Sequence, residues 1–186
     1  MTSLARAFVA VVPPPGVLAA VAQRSAAARD HGSGWRWTGP DQWHVTVQFL
    51  GPVADLEALE AAARDALAPL APVELRLGGG GAFPSPRRAS VLWIGVVEGA
   101  EALGRVAVAL GEALAPLGHP PDDRRFHPHL TLARLRRPGP ATRAVEALGT
   151  EPAGPRWRAT ELVLFESITR DTGAEHRVRA RLPLDG

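Results

Sequence analysis

Two spacings of apolar residues run along the chain. Alternation with polar or small residues predicts strands, and recurrence every three or four positions predicts helices. The predicted strands are residues 5–12, 35–37, 43–50, 73–77, 90–97, 129–135, 157–166 and 176–182. The predicted helices are residues 16–29, 54–67, 100–117 and, shorter, 143–148. Gly- and Pro-rich segments separate these elements, and the glycines at 78–81 predict a loose bend.

The order strand, helix, loop, strand occurs once in each half of the chain and indicates an internal duplication. Strands mixed with a few helices, without regular βαβ alternation, favour an α+β fold over a doubly wound parallel sheet. We therefore expect two lobes related by a pseudo-twofold axis, each with an antiparallel sheet and helices, on either side of a central cleft. No segment has the composition of a linker, so residues 1–186 are expected to form a single domain.

One short pattern, His-apolar-Thr-apolar, occurs in a predicted strand of each half. The first copy is residues 44–47 and the second is residues 129–132, so the two histidines are 85 positions apart. Alternation along the first strand predicts that His44, Thr46 and Gln48 share one face. It places Val45, Val47 and Phe49 on the other. The second copy repeats this arrangement, with His129 and Thr131 on one face.

If the pseudo-twofold axis brings these strands together, two imidazoles and two hydroxyls converge. In-line displacement at phosphorus needs a base for the nucleophile and an acid for the leaving oxygen, and two histidines can divide those roles. Threonine hydroxyls can hold the non-bridging phosphate oxygens. A single His-x-Thr strand is usually only a half-exposed strand, but two copies in matching contexts favour a catalytic pair. This chemistry requires neither a metal nor a cofactor.

Several absences from the composition exclude other chemistries. The chain has no Cys and no Tyr, and the sequence contains no Lys. Disulfides, thiolate metal sites, a P-loop lysine, a lysyl-nucleotide intermediate and a Schiff base are therefore excluded. The pI near 10.7 reflects a net charge of only +2 with no group buffering between His and Arg. The short apolar run at residues 7–12 predicts neither a signal peptide nor a membrane span, so we expect a soluble cytoplasmic protein.

These motifs together carry a resemblance to a known family. The segments are Arg6–Val11, Trp35–Trp37, Trp43–Gly51, Gly81–Pro84, Val91–Trp93, His127–Arg134 and Leu164–Ser167. In this order they resemble the 2H phosphoesterase superfamily and, within it, the RNA 2′,3′-cyclic phosphodiesterases, also called 2′-5′ RNA ligase-like or LigT-like proteins. The resemblance implies a bilobal α+β fold and hydrolysis of a terminal 2′,3′-cyclic phosphate to a 2′-phosphomonoester.

The resemblance also implies a role for each site residue. His44 would be the general acid that protonates the 3′ leaving oxygen, and His129 the general base that activates water. Thr46, Thr131 and Arg134 would bind the phosphate. Strict alternation puts Arg134 on the face opposite His129, so its role requires a β-bulge or a strong twist. Related proteins can also join RNA ends through a 2′-5′ linkage, the reverse reaction.

Two other functions stay open at this point. A noncatalytic RNA-binding module would use the arginines and tryptophans without needing the imidazoles, and a phosphodiesterase for a small cyclic phosphate would use the same site on another substrate. The expected partners are RNA 3′ ends or nucleoside 2′,3′-cyclic phosphates, bound by a monomer. Activity in EDTA, and its loss when either histidine is replaced, would distinguish the enzyme from the binding module. Two histidines dividing the acid and base roles also predict a bell-shaped pH profile.

The remaining candidates have simpler interpretations. His127 is expected to be a loop residue or a partner of the site, and His31, His119 and His176 to be solvated. Asp122 and Asp123 are expected to neutralise Arg124 and Arg125. Each of three tryptophans is either a core residue or a stacking platform for a base: Trp35, Trp37 and Trp43. Three arginine pairs could guide a polyanion if they surround the cleft: residues 87–88, 124–125 and 136–137.

Overall fold

Nine strands and four helices make up the part of the chain that the computed structural model describes, residues 2–170 and 173–186. The strands are β1 (Leu4–Val11), β2 (Arg36–Trp37), β3 (Val45–Val53), β4 (Val73–Phe83), β5 (Ala89–Glu98), β6 (His129–Gly139), β7 (Trp157–Ala159), β8 (Glu161–Arg170) and β9 (Gly173–Pro183). The helices are α1 (Pro15–Arg29), α2 (Leu56–Leu67), α3 (Ala100–Leu114) and α4 (Thr142–Leu148).

The strands form an antiparallel sheet in the order β7-β4-β5-β6-β3-β1-β8-β9, and β2 pairs with β6. The two strands that carry the repeated motif, β3 and β6, are neighbours at the centre. Four strands of this order lie on each side of the line between them. This arrangement confirms the predicted α+β fold with two related halves.

The helices pack against both halves of the sheet. α2 and α3 pack on each other and over the half of the sheet that contains β3 and β9. α4 packs on β4 of the other half and contacts α1. α1, which follows β1, and α3, which follows β5, therefore each lie over the half that does not contain the preceding strand. Arg24 of α1 fixes one such crossing, because its guanidinium donates to the carbonyl oxygens of Leu148 at 2.7 Å and Pro152 at 3.0 Å.

The apolar core lies between the sheet and the helices. Leu59, Ala63 and Leu67 of α2 are buried there. Asp55 caps this helix by accepting hydrogen bonds from the backbone N–H groups of Glu57 and Ala58. Among the residues described, no helix is both long enough and apolar enough to cross a membrane.

The strand predicted over residues 157–166 is two strands in the structure. β7 pairs with β4 at one end of the sheet, and β8 pairs with β1 and β9 near the other end. Only Thr160 separates β7 from β8, so the sheet curls until its two ends approach each other. The break occurs because the chain changes from one half to the other at this residue, which its apolar pattern does not reveal.

The bend predicted at glycines 78–81 is wrong, because β4 continues through all four. A Cβ atom on Gly81 would overlap the indole ring of Trp93 on the neighbouring β5, and one on Gly80 would overlap the side chain of Leu148. These glycines therefore give space to a large ring and a helix side chain that cross the strand.

We expect Gly81→Ala to destabilise the protein by about 1–3 kcal/mol, because the new methyl group displaces the Trp93 ring. Gly16→Ala is the matched control, since a Cβ on Gly16, in the first turn of α1, has no atom within 4 Å. That change should leave stability equal or raise it by up to about 1 kcal/mol. Urea unfolding of both variants measures the difference, and equal stabilities would contradict the packing role of Gly81.

Candidate active site

The two motif strands meet at one antiparallel pair, Val45 with Leu130. Both side chains are fully buried in the core, so the neighbouring positions point to the opposite face of the sheet. The antiparallel register puts His44 across from Thr131 and Thr46 across from His129. The structure thus brings the four predicted residues together on one surface.

The two imidazoles are held in the same way. The Nδ1–H of His44 donates to the carbonyl oxygen of Gln42 at 2.8 Å, and that of His129 donates to the carbonyl oxygen of His127 at 2.7 Å. A carbonyl can only accept, so each neutral ring carries its proton on Nδ1 and keeps the lone pair of Nε2 for the substrate. His127 is therefore a partner of the site through its backbone.

Aromatic rings surround each imidazole. His44 stacks on Phe8 with ring centroids 4.7 Å apart and meets the ring of His176 edge-on at 5.1 Å. His129 meets the ring of Phe83 edge-on at 4.9 Å. The prediction that His176 is solvated is wrong, because β9 lies next to β8 and carries this side chain against His44.

Both catalytic candidates have a depressed pKa. The pKa of His44 is lowered to about 4, mainly by burial and secondly by the nearby His176. The hydrogen bond to the carbonyl of Gln42 raises this pKa but does not offset the lowering. Burial also lowers the pKa of His129. The positive charge of Arg134 contributes to both shifts. Without substrate, both imidazoles are therefore neutral at pH 7.

A β-bulge in β6 turns Arg134 towards the site. Leu92 pairs with Ala133 and Trp93 pairs with Thr131, which leaves Leu132 as the extra residue of the bulge. Leu132 and Ala133 are both buried, and the Arg134 side chain emerges exposed on the face of the histidines. The bulge required by the sequence prediction is confirmed.

Thr38 supports this bulge from the neighbouring segment. Its backbone N–H donates to the carbonyl oxygen of Leu132 at 2.9 Å, and its hydroxyl lies 3.0 Å from the carbonyl oxygen of Thr131. The indole N–H of Trp43 in turn donates to that hydroxyl at 3.0 Å. Trp43 is buried in the core, so it is a support of the site rather than an open platform for a base.

The first motif strand contains a matching bulge that the sequence analysis missed. Val9 pairs with Gln48 and Ala10 pairs with Thr46, so Val47 is the extra residue. The predicted faces are therefore wrong for Gln48 and Phe49, whereas Val47 is buried as predicted. Gln48 is buried and donates to the carbonyl oxygen of His119 at 2.9 Å, whereas Phe49 is 67% exposed and lies 6.2 Å from the ring of Phe8.

Phe49, like His176, lies beside the site and was not predicted there from the sequence. It lies three positions after Thr46, as Arg134 lies three positions after Thr131, and each follows a two-residue buried bulge. The two halves therefore present an exposed phenyl ring and a guanidinium at equivalent places. Applying the bulge argument for Arg134 to the first motif would have found Phe49.

Other predicted residues have structural roles. His119 is buried, contrary to prediction, because its Nδ1 bonds the carbonyl oxygen of Leu50 at 3.0 Å and its own carbonyl receives Gln48. Asp122 forms the expected ion pair with Arg124 at 2.5 Å. Trp35 and Trp37 are partly buried against the core.

No metal site is evident in residues 2–170 and 173–186, where no group of three or more His, Asp or Glu side chains is arranged to hold an ion. The groups available for a ligand in the cleft are the two Nε2 atoms, the two hydroxyls and the Arg134 guanidinium. This set suits an anion rather than a cation.

Comparison with known proteins gives consistent similarities. Residues 13–171 match the family model of the 2′-5′ RNA ligase superfamily. RNA 2′,3′-cyclic phosphodiesterase of Thermus thermophilus is 32% identical over 97% of this chain and 91% of that protein. The enzyme of the same name from Methanothermobacter thermautotrophicus is 30% identical over 77% of this chain and 78% of that protein. That of Aeropyrum pernix is 38% identical, but the match spans only 54% of its length and 52% of this chain.

Solved structures agree with the sequence similarities. The crystal structure of TT0787 from Thermus thermophilus superposes with a TM-score of 0.81 and 29% identity, covering 97% of this chain and 98% of that one. E. coli LigT complexed with 3′-AMP superposes with a TM-score of 0.75 and 25% identity over the whole of both chains.

We expect NMR titration of the imidazoles to give His44 a pKa near 4 and His129 a value below 6.5. His176→Phe keeps the burial of His44 and removes a neighbouring charge, so the pKa of His44 should rise but stay below 6.5. An ordinary His44 pKa in the wild-type protein would contradict the buried environment. A value near 6.5 in the variant would instead assign the shift to charge rather than to burial.

Proposed function

The chain belongs to the 2′-5′ RNA ligase superfamily, and on this premise we propose that it hydrolyses the 2′,3′-cyclic phosphate at RNA 3′ ends to a 2′-phosphomonoester. The observation that carries the proposal is the meeting of the two motif strands at Val45 and Leu130. It gives one phosphate access to two imidazoles with free Nε2 atoms and to two hydroxyls. The names of the relatives, RNA 2′,3′-cyclic phosphodiesterase, support the same activity.

The reaction that we propose takes its acid and base roles from the family resemblance. His129 Nε2 takes a proton from a water molecule whose oxygen attacks phosphorus, and the bond from phosphorus to the 3′ oxygen breaks. His44 Nε2 gives its proton to that leaving oxygen, so the product has a 2′-phosphate and a 3′-hydroxyl. Thr46, Thr131 and Arg134 stabilise the charge on the non-bridging oxygens. Ligation through a 2′-5′ linkage would be the reverse reaction, with the two roles exchanged.

Substrate binding favours uptake from solvent of the proton that the empty site lacks. Both imidazoles are neutral in the free protein at pH 7, yet the mechanism needs one of them protonated. A phosphodiester anion placed between the rings favours the imidazolium form and raises the pKa of the ring that it contacts. The acid is thus charged mainly when substrate is present.

An exposed aromatic ring supports a nucleotide substrate over a bare cyclic phosphate. Phe49 is 67% exposed next to the anion site, and a flat, open phenyl ring is a surface on which a base stacks. A noncatalytic RNA-binding module would also use Phe49 and the arginines. It would not require two imidazoles fixed in the same tautomer, and this difference favours the enzyme.

We expect His44→Ala and His129→Ala each to lose about 10²–10⁴-fold in turnover of adenosine 2′,3′-cyclic phosphate, because each removes a proton-transfer group. Wild-type activity should persist in EDTA, and the product should be the 2′-phosphate. His31→Ala is the matched control, since that imidazole is exposed outside the site. Equal activity of all four proteins would overturn the enzyme proposal.

A substrate with sulfur in place of the 3′ bridging oxygen separates the two roles. A thiolate leaves without being protonated, so this substrate should restore much of the activity of His44→Ala and little of that of His129→Ala. Restoration of His129→Ala alone would reverse the assignment of acid and base.

We expect kcat/KM to follow a bell-shaped pH profile with its maximum below pH 6.5. The productive free enzyme carries one proton on the two-histidine pair, and both pKa values are depressed. The profile should therefore fall from pH 6.5 to pH 8. A constant kcat/KM between pH 5 and 9 would contradict the two-histidine mechanism.

A further inference from the structure

Three arginines approach the site from different strands and form what we call the arginine cluster: Arg6, Arg36 and Arg134. Arg36 of β2 pairs directly with Arg134 of β6, so both side chains lie on the same face of the sheet. Arg6 lies on β1, two positions before Phe8, whose ring stacks on His44. All three arginine side chains are exposed.

The charges of the cluster act on one another. Arg36 and Arg6 both lower the pKa of Arg134, in addition to the effect of its partial loss of water. Arg6 also lowers the pKa of His176, which contacts His44. Arg6 and Arg36 therefore both lie within electrostatic range of Arg134.

The cluster is electrostatically unfavourable without an anion. Like charges directly opposite each other on paired strands destabilise a sheet. Within residues 2–170 and 173–186, the ion pairs of the structure involve other arginines and none of these three. Three converging guanidiniums without carboxylate partners are an arrangement suited to phosphate, which accepts two parallel hydrogen bonds from one guanidinium.

The reacting phosphate does not account for the whole cluster. Arg134 follows the motif residues on the same face of β6, and Arg36 of β2 pairs with β6 only at that position. Arg36 lies opposite Arg134, four residues along β6 from the pair at Leu130, or roughly 13 Å at about 3.3 Å per residue. Arg36 is thus positioned for a different anion from the one between the histidines.

We propose that Arg6 and Arg36, with Arg134 shared between the two anions, bind a second phosphate on the 5′ side of the ribose that carries the cyclic phosphate. This inference rests on the proposed function and defines its substrate class further. Such a phosphate occurs as the internucleotide diester of RNA and as part of the diphosphate of a small dinucleotide-like metabolite. In either case the protein would prefer its substrate to a simple nucleoside 2′,3′-cyclic phosphate.

The test compares kcat/KM on four substrates at fixed salt. They are adenosine 2′,3′-cyclic phosphate, the same compound with a 5′-phosphate, the dinucleotide ApA ending in a cyclic phosphate, and ADP-ribose 1″,2″-cyclic phosphate. We expect the wild-type protein to prefer the 5′-phosphorylated compound to the first by about 10–100-fold, the effect of one charge-assisted contact. Arg6→Gln and Arg36→Gln should each lower this ratio towards 1.

Arg64→Gln is the matched control. Arg64 is an exposed arginine on α2, which packs on α3 and β9, and its loss should leave the ratio unchanged. Given the preference for the 5′-phosphorylated compound, the two larger substrates identify the source of the second phosphate. A further gain in kcat/KM for the dinucleotide but not for the ADP-ribose compound identifies RNA, and the reverse identifies the metabolite.

A wild-type ratio near 1, or a ratio that neither cluster variant lowers, would overturn the inference while leaving the proposed function intact. Failure to hydrolyse any of the four substrates would overturn the proposed function itself.

Discussion

The site depends on one antiparallel contact between strands that are distant in the sequence. Val45 and Leu130 are the pair through which β3 and β6 meet, and both side chains are fully buried. Because alternation is strict at this point, burying these two residues forces the histidine and threonine on either side of each to the opposite face. A slip of one residue in either strand would turn its imidazole into the core. The apolar core therefore fixes the register that places the two imidazoles and two hydroxyls together.

The two halves use the same backbone device for different side chains. A bulge after each motif threonine buries two consecutive residues and turns the next one to the cleft. In one half that residue is Arg134 and in the other it is Phe49, so a pseudo-symmetric frame carries a guanidinium on one side and an apolar ring on the other. The symmetry supplies two equivalent imidazoles, and under the proposed function the departure from symmetry would give the substrate a direction.

Much of this arrangement could be predicted from the sequence. The repeated motif and the α+β class follow from local patterns, and the bulge before Arg134 follows from the role that the family resemblance implies for this residue. The resemblance is confirmed by the match over residues 13–171. The errors arise where long-range packing decides. Gly78–Gly81 form a strand because Trp93 of another strand needs their space, His119 is buried by its bonds to Leu50 and Gln48, and His176 reaches His44 only because β9 joins β8.

The most direct measurement of the central claim is a crystal structure with the product adenosine 2′-phosphate bound. The account predicts one phosphate within about 3 Å of the Nε2 atoms of both His44 and His129, with its remaining oxygens on Thr46, Thr131 and Arg134. A phosphate that contacts only one imidazole, or that binds away from the junction of β3 and β6, would contradict it.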